Sequence, residues 1–201
     1  MRIKKITILL FTLLLSLVLI GQLTAQAKFG PRTESFLKIF ESGTYYMKAT
    51  MVEDSMRIET EVYMKGNRLA TTTQAGGETM RMIMRDNKAY MIMEEAKMII
   101  ITPAMDMYDS AAVDISGMTF RRSGTATFAG KNLPYEEYSH DDGETSQFFI
   151  DGNRLAGIRS ITPGENPSDM IISVFNQNVP DSVFNIPSSG YQIQDMSNIR
   201  F

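Results

Sequence analysis

The chain has 201 residues, of which 43% are hydrophobic, 21% charged and 9% aromatic, a balance typical of one β-rich or mixed globular domain. It contains no cysteine and a single histidine, His140, which excludes disulfide scaffolds, thiol catalysis and metal sites built from Cys or several His. With 20 Lys+Arg against 23 Asp+Glu, the chain lacks the basic field that nucleic-acid binding requires, so we expect no nucleic-acid partner.

The first residues have the pattern of an export signal. Basic residues near the N-terminus precede an uncharged apolar run over residues 6–20, and Ala25-Gln26-Ala27 supplies a small-x-small cleavage pattern. The run is shorter than the roughly 20 apolar residues of a membrane-spanning helix. We therefore expect residues 1–27 to be removed and residues 28–201 to form one domain, a soluble monomer in the periplasm or secreted. An uncleaved anchor is the alternative.

The exported part begins with a short amphipathic segment. Its apolar residues have helical spacing, and Ser42-Gly43 supplies a stop signal after them. This pattern predicts a first helix of about three turns that begins at Pro31 or Thr33. The apolar residues that would form its buried stripe are Phe36, Leu37, Ile39 and Phe40.

Strand patterns make up most of the remaining chain. From Thr44 the apolar residues alternate with polar ones, the period of a strand with one buried face, and short turns interrupt this pattern up to Thr102. The alternation resumes at Thr119 and continues to Asn176. Such short connections favour an antiparallel meander over parallel βαβ units. The tail is expected to lie over the sheet and to end in a short strand, with apolar anchors at Val183, Phe184, Ile186 and Tyr191.

A second helix is predicted between the two strand regions. Thr102-Pro103 is a favourable N-cap and first-turn pair, and apolar residues then recur at helical spacing up to Ser116-Gly117. About ten antiparallel strands form a sheet that curls as its twist accumulates. We therefore predict a mainly β (α+β) fold: a curved antiparallel sheet forming an incomplete β-barrel, with the helices covering its concave face and enclosing an apolar space.

Methionine is the unusual component of this sequence. Of the 16 methionines, most lie between Met47 and Met107, many at strand positions where Val or Ile would form strands better. Methionine is flexible and polarisable, and it suits an apolar surface that adapts to a ligand such as an acyl chain. An ordinary core filled with methionine is equally compatible with the pattern. The predicted cavity-lining residues are Met47, Met51, Val62, Met64, Met80, Met82, Met84, Met91, Met93, Met105 and Tyr108.

The sequence lacks the common motifs for hydrolytic and metal-dependent catalysis. One histidine excludes H-E-x-x-H, and no Gly-x-Ser-x-Gly elbow occurs. Residues 140–144 lack the alternating ligands of a calcium loop and are typical of a solvated hairpin turn. The tandem pair Glu136-Glu137 should point to opposite faces of a strand, whereas Glu59 and Glu61 share a charged outer face with basic neighbours. We expect no enzyme activity, no metal and no cofactor.

The order of these elements and several short phrases resemble a known family. The phrases are Tyr45–Ala49, the turn Lys65-Gly66-Asn67-Arg68, and the C-terminal sequence of residues 179–187 followed by Gly190-Tyr191. They are similar to the LolA-like superfamily of exported lipoprotein carriers, over about residues 30–195. The resemblance implies an incomplete barrel of about eleven antiparallel strands, with helices over an apolar cavity that receives acyl chains. It also implies an arginine near those helices, for which the candidates are Arg57, Arg68 and Arg81.

Two functions remain open at this point. The first is an exported soluble binding protein that holds a lipid acyl chain or a lipidated protein in an apolar cavity, as a carrier rather than a catalyst. The alternative is an envelope protein-interaction or sensor module with a filled core and no lipid ligand, which recruits another protein through its surface or a sheet edge. The two hypotheses differ in whether the methionine-lined space is vacant or filled.

Overall fold

The computed structural model describes residues 29–53, 56–104, 118–141 and 143–197. The predicted leader, residues 1–27, lies outside the described residues, as do Met105 and Tyr108. The elements in chain order are helix α1 (Glu34–Glu41), strands β1 (Thr44–Glu53), β2 (Met56–Lys65), β3 (Arg68–Ala75), β4 (Glu78–Arg85), β5 (Lys88–Met93), β6 (Met98–Pro103), β7 (Thr119–Phe128), β8 (Lys131–Ser139), β9 (Thr145–Asp151), β10 (Arg154–Ile161) and β11 (Ser168–Asn176), a 3-10 helix (Asp181–Phe184) and β12 (Gln192–Asp195).

The described strands form one open sheet of twelve strands. Their order is β12-β6-β5-β4-β3-β2-β1-β11-β10-β9-β8-β7, so β12 and β7 are the two edges. Neighbouring strands pair antiparallel throughout, except that β12 runs parallel to β6. The predicted mainly β fold with an antiparallel meander is confirmed, with more strands than the ten or eleven expected.

The alternation of side chains defines two faces of this sheet. We refer to the face that carries Tyr45 and Met47 of β1 as the inner face, because both side chains are buried there. Their partners across the pairing with β2 are Met64 and Val62, which lie on the same face. The opposite side, which carries Lys48, is the outer face. One large core cluster contains inner-face residues from strands β1 to β5 and β8 to β11.

The length of the connection between β6 and β7 favours a curved sheet over a flat one. These two strands are ten spacings apart in the strand order, which is roughly 48 Å in a flat sheet. Residues 104–118 would have to be stretched to nearly their full reach, also roughly 48 Å, to span that distance. Yet Ala104 and Met118 are both buried in the same inner-face core cluster. We infer from this shared cluster that the sheet curves around the inner face.

Helix α1 is shorter than the sequence pattern predicted. It has 8 residues, about two turns rather than three, and it begins after Thr33 rather than at Pro31. It ends where expected, because Gly43 has φ +62°, a conformation that residues with a Cβ rarely adopt. Pro31 instead belongs to a turn before the helix.

The predicted start of the second helix is wrong. Thr102 and Pro103 belong to β6, where they pair with Ala89 and Lys88 of β5. A Thr-Pro pair suits the end of a strand as well as the start of a helix, since the missing N–H of proline is tolerated at a strand end. Residues 105–117, which would form the rest of that helix, lie outside the described residues. The part of the chain that the structure describes therefore contains only one short α-helix, α1.

The C-terminal tail covers part of the outer face, as predicted. Val179 and Phe184 are buried in a separate apolar cluster with Ile83, Ile92 and Ile99 of the sheet. The other expected anchors, Val183, Ile186 and Tyr191, pack against this cluster. The tail then adds the short edge strand β12.

Candidate functional site

The inner face of β1–β6 brings the predicted site residues together in adjoining rows across the strands. The strand registers give the rows Tyr45–Met64–Leu69–Met84–Ala89–Thr102, Met47–Val62–Thr71–Met82–Met91–Ile100 and Ala49–Thr60–Thr73–Met80–Met93–Met98, with Met51 opposite Ile58 in a fourth row. Every predicted site residue that the structure describes is thus on this one face. The period of two explains this result, because the residues occupy alternate positions on strands joined by short turns.

Burial divides these residues into two groups. Five are buried in the inner core, namely Met47, Met51, Val62, Met82 and Met84. The other four keep part of their surface accessible, namely Met64, Met80, Met91 and Met93. The first group behaves as an ordinary core would. Met64 lies apart from the others on β2, whereas Met80, Met91 and Met93 form an accessible apolar surface with Met98 and Ile100 of β6. We refer to these five residues as the methionine face.

The ion-paired charged side chains of β1 and β2 lie on the outer face. The Lys48 ammonium is 3.0 Å from the Glu61 carboxylate, and Arg57 Nε is 2.9 Å from Glu59. Burial acts to raise the pKa of Glu61, but hydrogen bonds from Lys48 and Tyr63 outweigh it and lower that pKa. The predicted charged outer surface on β2 is confirmed. It leaves the methionine face to be built from uncharged side chains.

The three arginines considered as candidates near the helices also lie on the outer face. Arg57 contacts Glu59, Arg68 donates to Asp181 of the tail at 2.7 Å, and Arg81 donates to backbone carbonyls of the tail. The Arg68 guanidinium also lies 4.6 Å from the centre of the Phe184 ring. Arg68 and Arg81 therefore fasten the tail to the sheet, and none of the three points toward the methionine face.

A buried carboxylate anchors the start of α1 to the inner face of β8. Glu136 is 0% exposed and accepts hydrogen bonds from the backbone N–H of Arg32 at 3.2 Å and of Thr33 at 3.1 Å. The Thr33 hydroxyl donates to the same carboxylate at 2.6 Å. A side chain on Gly30 would collide with it, since a Cβ there would lie 2.3 Å from the Glu136 carboxyl. Sequence reasoning considered Glu136 only as half of a tandem pair and missed this role.

Tyr138 completes this polar cluster. Its hydroxyl donates to Glu136 at 3.3 Å and accepts from the Gly30 N–H at 2.8 Å. Burial raises the pKa of Tyr138 to about 12, so the hydroxyl keeps its proton and remains a donor at neutral pH. The prediction that Glu136 and Glu137 point to opposite faces is confirmed, because Glu137 pairs with Arg122 on the outer face at 2.9 Å.

The other end of α1 is packed rather than hydrogen-bonded. The Phe40 ring lies 4.9 Å from the ring of Tyr45 and 4.6 Å from that of Phe175, measured between centroids. Phe36 is buried in the same inner cluster. Helix α1 therefore links β8 to β1 and β11 along the inner face.

The environment of the single histidine and the acidic side chains bears on metal binding, and the length of the helices bears on membrane insertion. His140 lies at a hairpin turn, as predicted, where Nε2 is 2.9 Å from the Ser146 hydroxyl. No group of three His, Cys, Asp or Glu side chains in the described ranges could hold a metal ion. Within those ranges, no helix has the length and apolar character needed to cross a membrane.

Known proteins share the fold of this chain at low sequence identity. No protein-family model matches the chain, and no curated protein matches it significantly. An uncharacterized conserved protein from Thermus thermophilus is similar over 82% of this chain and 94% of its own, with a TM-score of 0.54 and 10% identity. At that identity the likeness shows the fold alone.

Two further solved structures match with lower TM-scores. A putative outer membrane lipoprotein-sorting protein domain from Vibrio parahaemolyticus matches 71% of this chain and 88% of its own, at TM-score 0.34 and 9% identity. A DUF1329 family protein from Desulfovibrio piger matches 77% of this chain and 94% of its own, at TM-score 0.35 and 10% identity.

Proposed function

We propose that this protein is an exported binding protein that holds the acyl chain of a lipid or of a lipidated protein against the methionine face. In this proposal it acts as a carrier rather than a catalyst. Residues 1–27 are a cleaved leader, and residues 28–201 form one soluble, monomeric domain in the periplasm or outside the cell. The observation that carries the proposal is an apolar surface on the inner face of the sheet, the methionine face, whose side chains remain partly accessible.

Methionine supports this proposal through its flexibility. Met80 and Met93 are cross-strand partners, as are Met82 and Met91, so four unbranched side chains meet on two neighbouring strands. Such side chains can change rotamer to fit chains of different length, at lower cost than branched Val or Ile. A face built in this way would accept a range of acyl chains.

The energetics are sufficient for useful affinity. Removing one CH₂ from water contributes about 0.8 kcal/mol, so a chain of some sixteen carbons would gain about 12 kcal/mol before the costs of association. Micromolar binding requires only about 8 kcal/mol of net free energy. The hydrophobic contribution is non-directional, so it does not by itself select one lipid.

The alternative function, a protein-interaction module, is favoured by a different observation. Strand β7 is an edge strand of 10 residues, and most of its side chains are at least partly exposed. Exposed edges of this length can pair with a strand from another protein. In that case the methionine face would be closed by the protein itself and would take no guest.

Native mass spectrometry of the protein purified from its own host separates the two functions. A carrier should retain acyl lipid, or a lipidated protein, at about one equivalent. A fluorescent fatty-acyl probe should then bind saturably to the purified protein and weaken at least tenfold in Met91→Gln/Met93→Gln, because two amides would replace apolar contacts. The matched control is Met196→Gln in the tail, which should leave the affinity unchanged.

Two results would contradict the carrier function. One is a lipid-free mass together with no saturable binding of the acyl probe. The other is equal loss of binding in the inner-face variant and in the Met196→Gln control, which would mean that the probe binds elsewhere. A lipid-free protein in stoichiometric complex with another protein would favour the interaction module.

A further inference from the structure

Four threonines occur in the rows of the inner face, and three of them lie together on β2 and β3. Thr60 and Thr73 are cross-strand neighbours, and Thr71 lies two positions away on the same face of β3. The next residues across the sheet are Met80, opposite Thr73, and Met82, opposite Thr71. Spacings of this kind place the three hydroxyl-bearing side chains within about 7 Å of one another. We refer to Thr60, Thr71 and Thr73 as the threonine patch.

The hydrogen-bonding capacity of this patch is largely unused. The Thr60 and Thr73 hydroxyl oxygens are 3.5 Å apart, at the outer limit of a hydrogen bond, and that bond would employ only one of their two protons. The Thr60 and Thr71 side chains are only 5% exposed, and no hydrogen bond of the Thr71 hydroxyl is found among the described residues. Thr73 remains partly accessible, so a guest on the methionine face can reach the patch there. Buried hydroxyls without partners are unfavourable, so the patch is suited to donate to a polar atom of that guest.

The charge distribution restricts what that polar atom can be. On the described inner face of β1–β6 there is no Lys or Arg, because the basic side chains of these strands, such as Lys48 and Arg81, alternate onto the outer face. Glu78, opposite Ala75 at the start of β4, shares the inner face and would repel an anion. A carboxylate or phosphate without a counter-charge is much more costly to remove from water than a neutral carbonyl.

We propose that the threonine patch is a subsite for the uncharged carbonyl of an acyl ester or amide, whose acyl chain lies on the neighbouring methionines. This inference rests on the proposed function and narrows its guest from any acyl chain to a neutral acyl derivative. The ester would come from a glycerolipid and the amide from an N-acylated protein, and both present the same carbonyl chemistry. A free fatty acid would bind with its ionised head excluded from the patch.

The test compares guests that share a twelve-carbon chain and differ in the head. The probes are monododecanoylglycerol for the lipid source, N-dodecanoyl-glycinamide for the lipidated-protein source, dodecanoate at pH 8 for the anion, and dodecane as the headless reference. Each probe displaces a fluorescent apolar dye from the full-length processed protein. We expect the ester or the amide to bind at least fivefold more tightly than dodecanoate, and the stronger of the two identifies the source.

Variants then assign the preference to the hydroxyls. In Thr71→Val/Thr73→Val a methyl group replaces each hydroxyl, so affinity for the neutral acyl probe should fall about fivefold for each lost hydrogen bond, while affinity for dodecane stays the same or rises. Thr72→Val is the matched control, because Thr72 lies on the same strand but on the outer face. Thr71→Ser/Thr73→Ser keeps both hydroxyls, so it should bind the ester or amide about as tightly as the unmodified protein does.

The possible failures are distinguishable. If none of the probes binds the unmodified protein, both the proposed function and the subsite are overturned. If dodecane and the acyl probes bind but dodecanoate equals or exceeds the neutral heads, or if the valine variant weakens all probes equally, the carrier function stands and the subsite is overturned. Circular dichroism and thermal unfolding of each variant show whether a loss of binding reflects a loss of fold.

Discussion

Replacing Glu136 tests whether one buried carboxylate holds α1 on the inner face. The carboxylate accepts two backbone N–H groups, from Arg32 and Thr33, and two hydroxyls, from Thr33 and Tyr138. In Glu136→Ala those four donors lose their acceptor in a buried environment. We expect the start of α1 to detach before the sheet unfolds.

The magnitude follows from the number of hydrogen bonds. A hydrogen bond to a charged group contributes about 1.5–3 kcal/mol, and a helix N-terminal cap about 1 kcal/mol. Because some of the freed donors can reach water once α1 loosens, we expect the free energy of unfolding to fall by about 3–5 kcal/mol in Glu136→Ala. Glu136→Gln keeps one acceptor oxygen but presents an NH₂ to the donors, so its loss should be about 1–3 kcal/mol.

Urea denaturation gives these free energies, and hydrogen exchange of residues 34–41 reports the local opening of α1. Glu95→Gln, at an exposed turn position, is the control and should change the unfolding free energy by less than about 0.5 kcal/mol. A double-mutant cycle with Thr33→Val should show a coupling of about 1 kcal/mol or more. The reasoning is refuted if Glu136→Ala unfolds within about 0.5 kcal/mol of the unmodified protein, or if exchange in α1 does not change.

Two further predictions concern the tail on the outer face. Hydrogen bonds from Arg68 and Lys65 lower the pKa of Asp181, so its contribution is present above the ordinary carboxyl pKa and is lost as pH falls through the lowered value. In Asp181→Asn, the backbone amides of β12 should therefore exchange roughly two- to fivefold faster at pH 7, and their protection should no longer fall as the pH is lowered through the pKa of Asp181. Unchanged exchange would contradict this prediction. Phe184 is 1% exposed, so Phe184→Ala should cost about 3 kcal/mol in urea denaturation, and a cost below about 1 kcal/mol would mean that the tail is not an integral part of the fold.

The methionine face shows how much of the candidate site can be predicted from strand periodicity. Positions such as Met80, Met82 and Met84 share a face by alternation alone, and short turns keep the next strand antiparallel, so neighbouring methionines come together without long-range information. The same alternation should have excluded Arg57, Arg68 and Arg81 from that face. Only the resemblance to the LolA-like superfamily implies an arginine near the helices.

The contacts of Glu136 with α1 could not be read from the sequence. Glu136 and Thr33 are separated by 103 residues, and nothing in the pattern of either segment indicates that they meet. The prediction that a second helix begins at Thr102-Pro103 was wrong for a different reason, because this pair is compatible with both a helix start and a strand end. In both cases the outcome depends on which distant strand packs alongside.

The amino-acid sequence alone determined the local structure: the strands, their turns, the charged and apolar sides of each strand, and the apolar anchors of the tail. These features follow from interactions between residues close in the chain, where side-chain alternation and glycine turns restrict the local backbone conformation. Only the tertiary structure decided that β11 pairs with β1, that β12 runs parallel to β6, and that a buried glutamate secures α1. Those pairings depend on which distant surfaces become complementary once the sheet curves, and the local periodicity of the sequence contains no information about such long-range contacts.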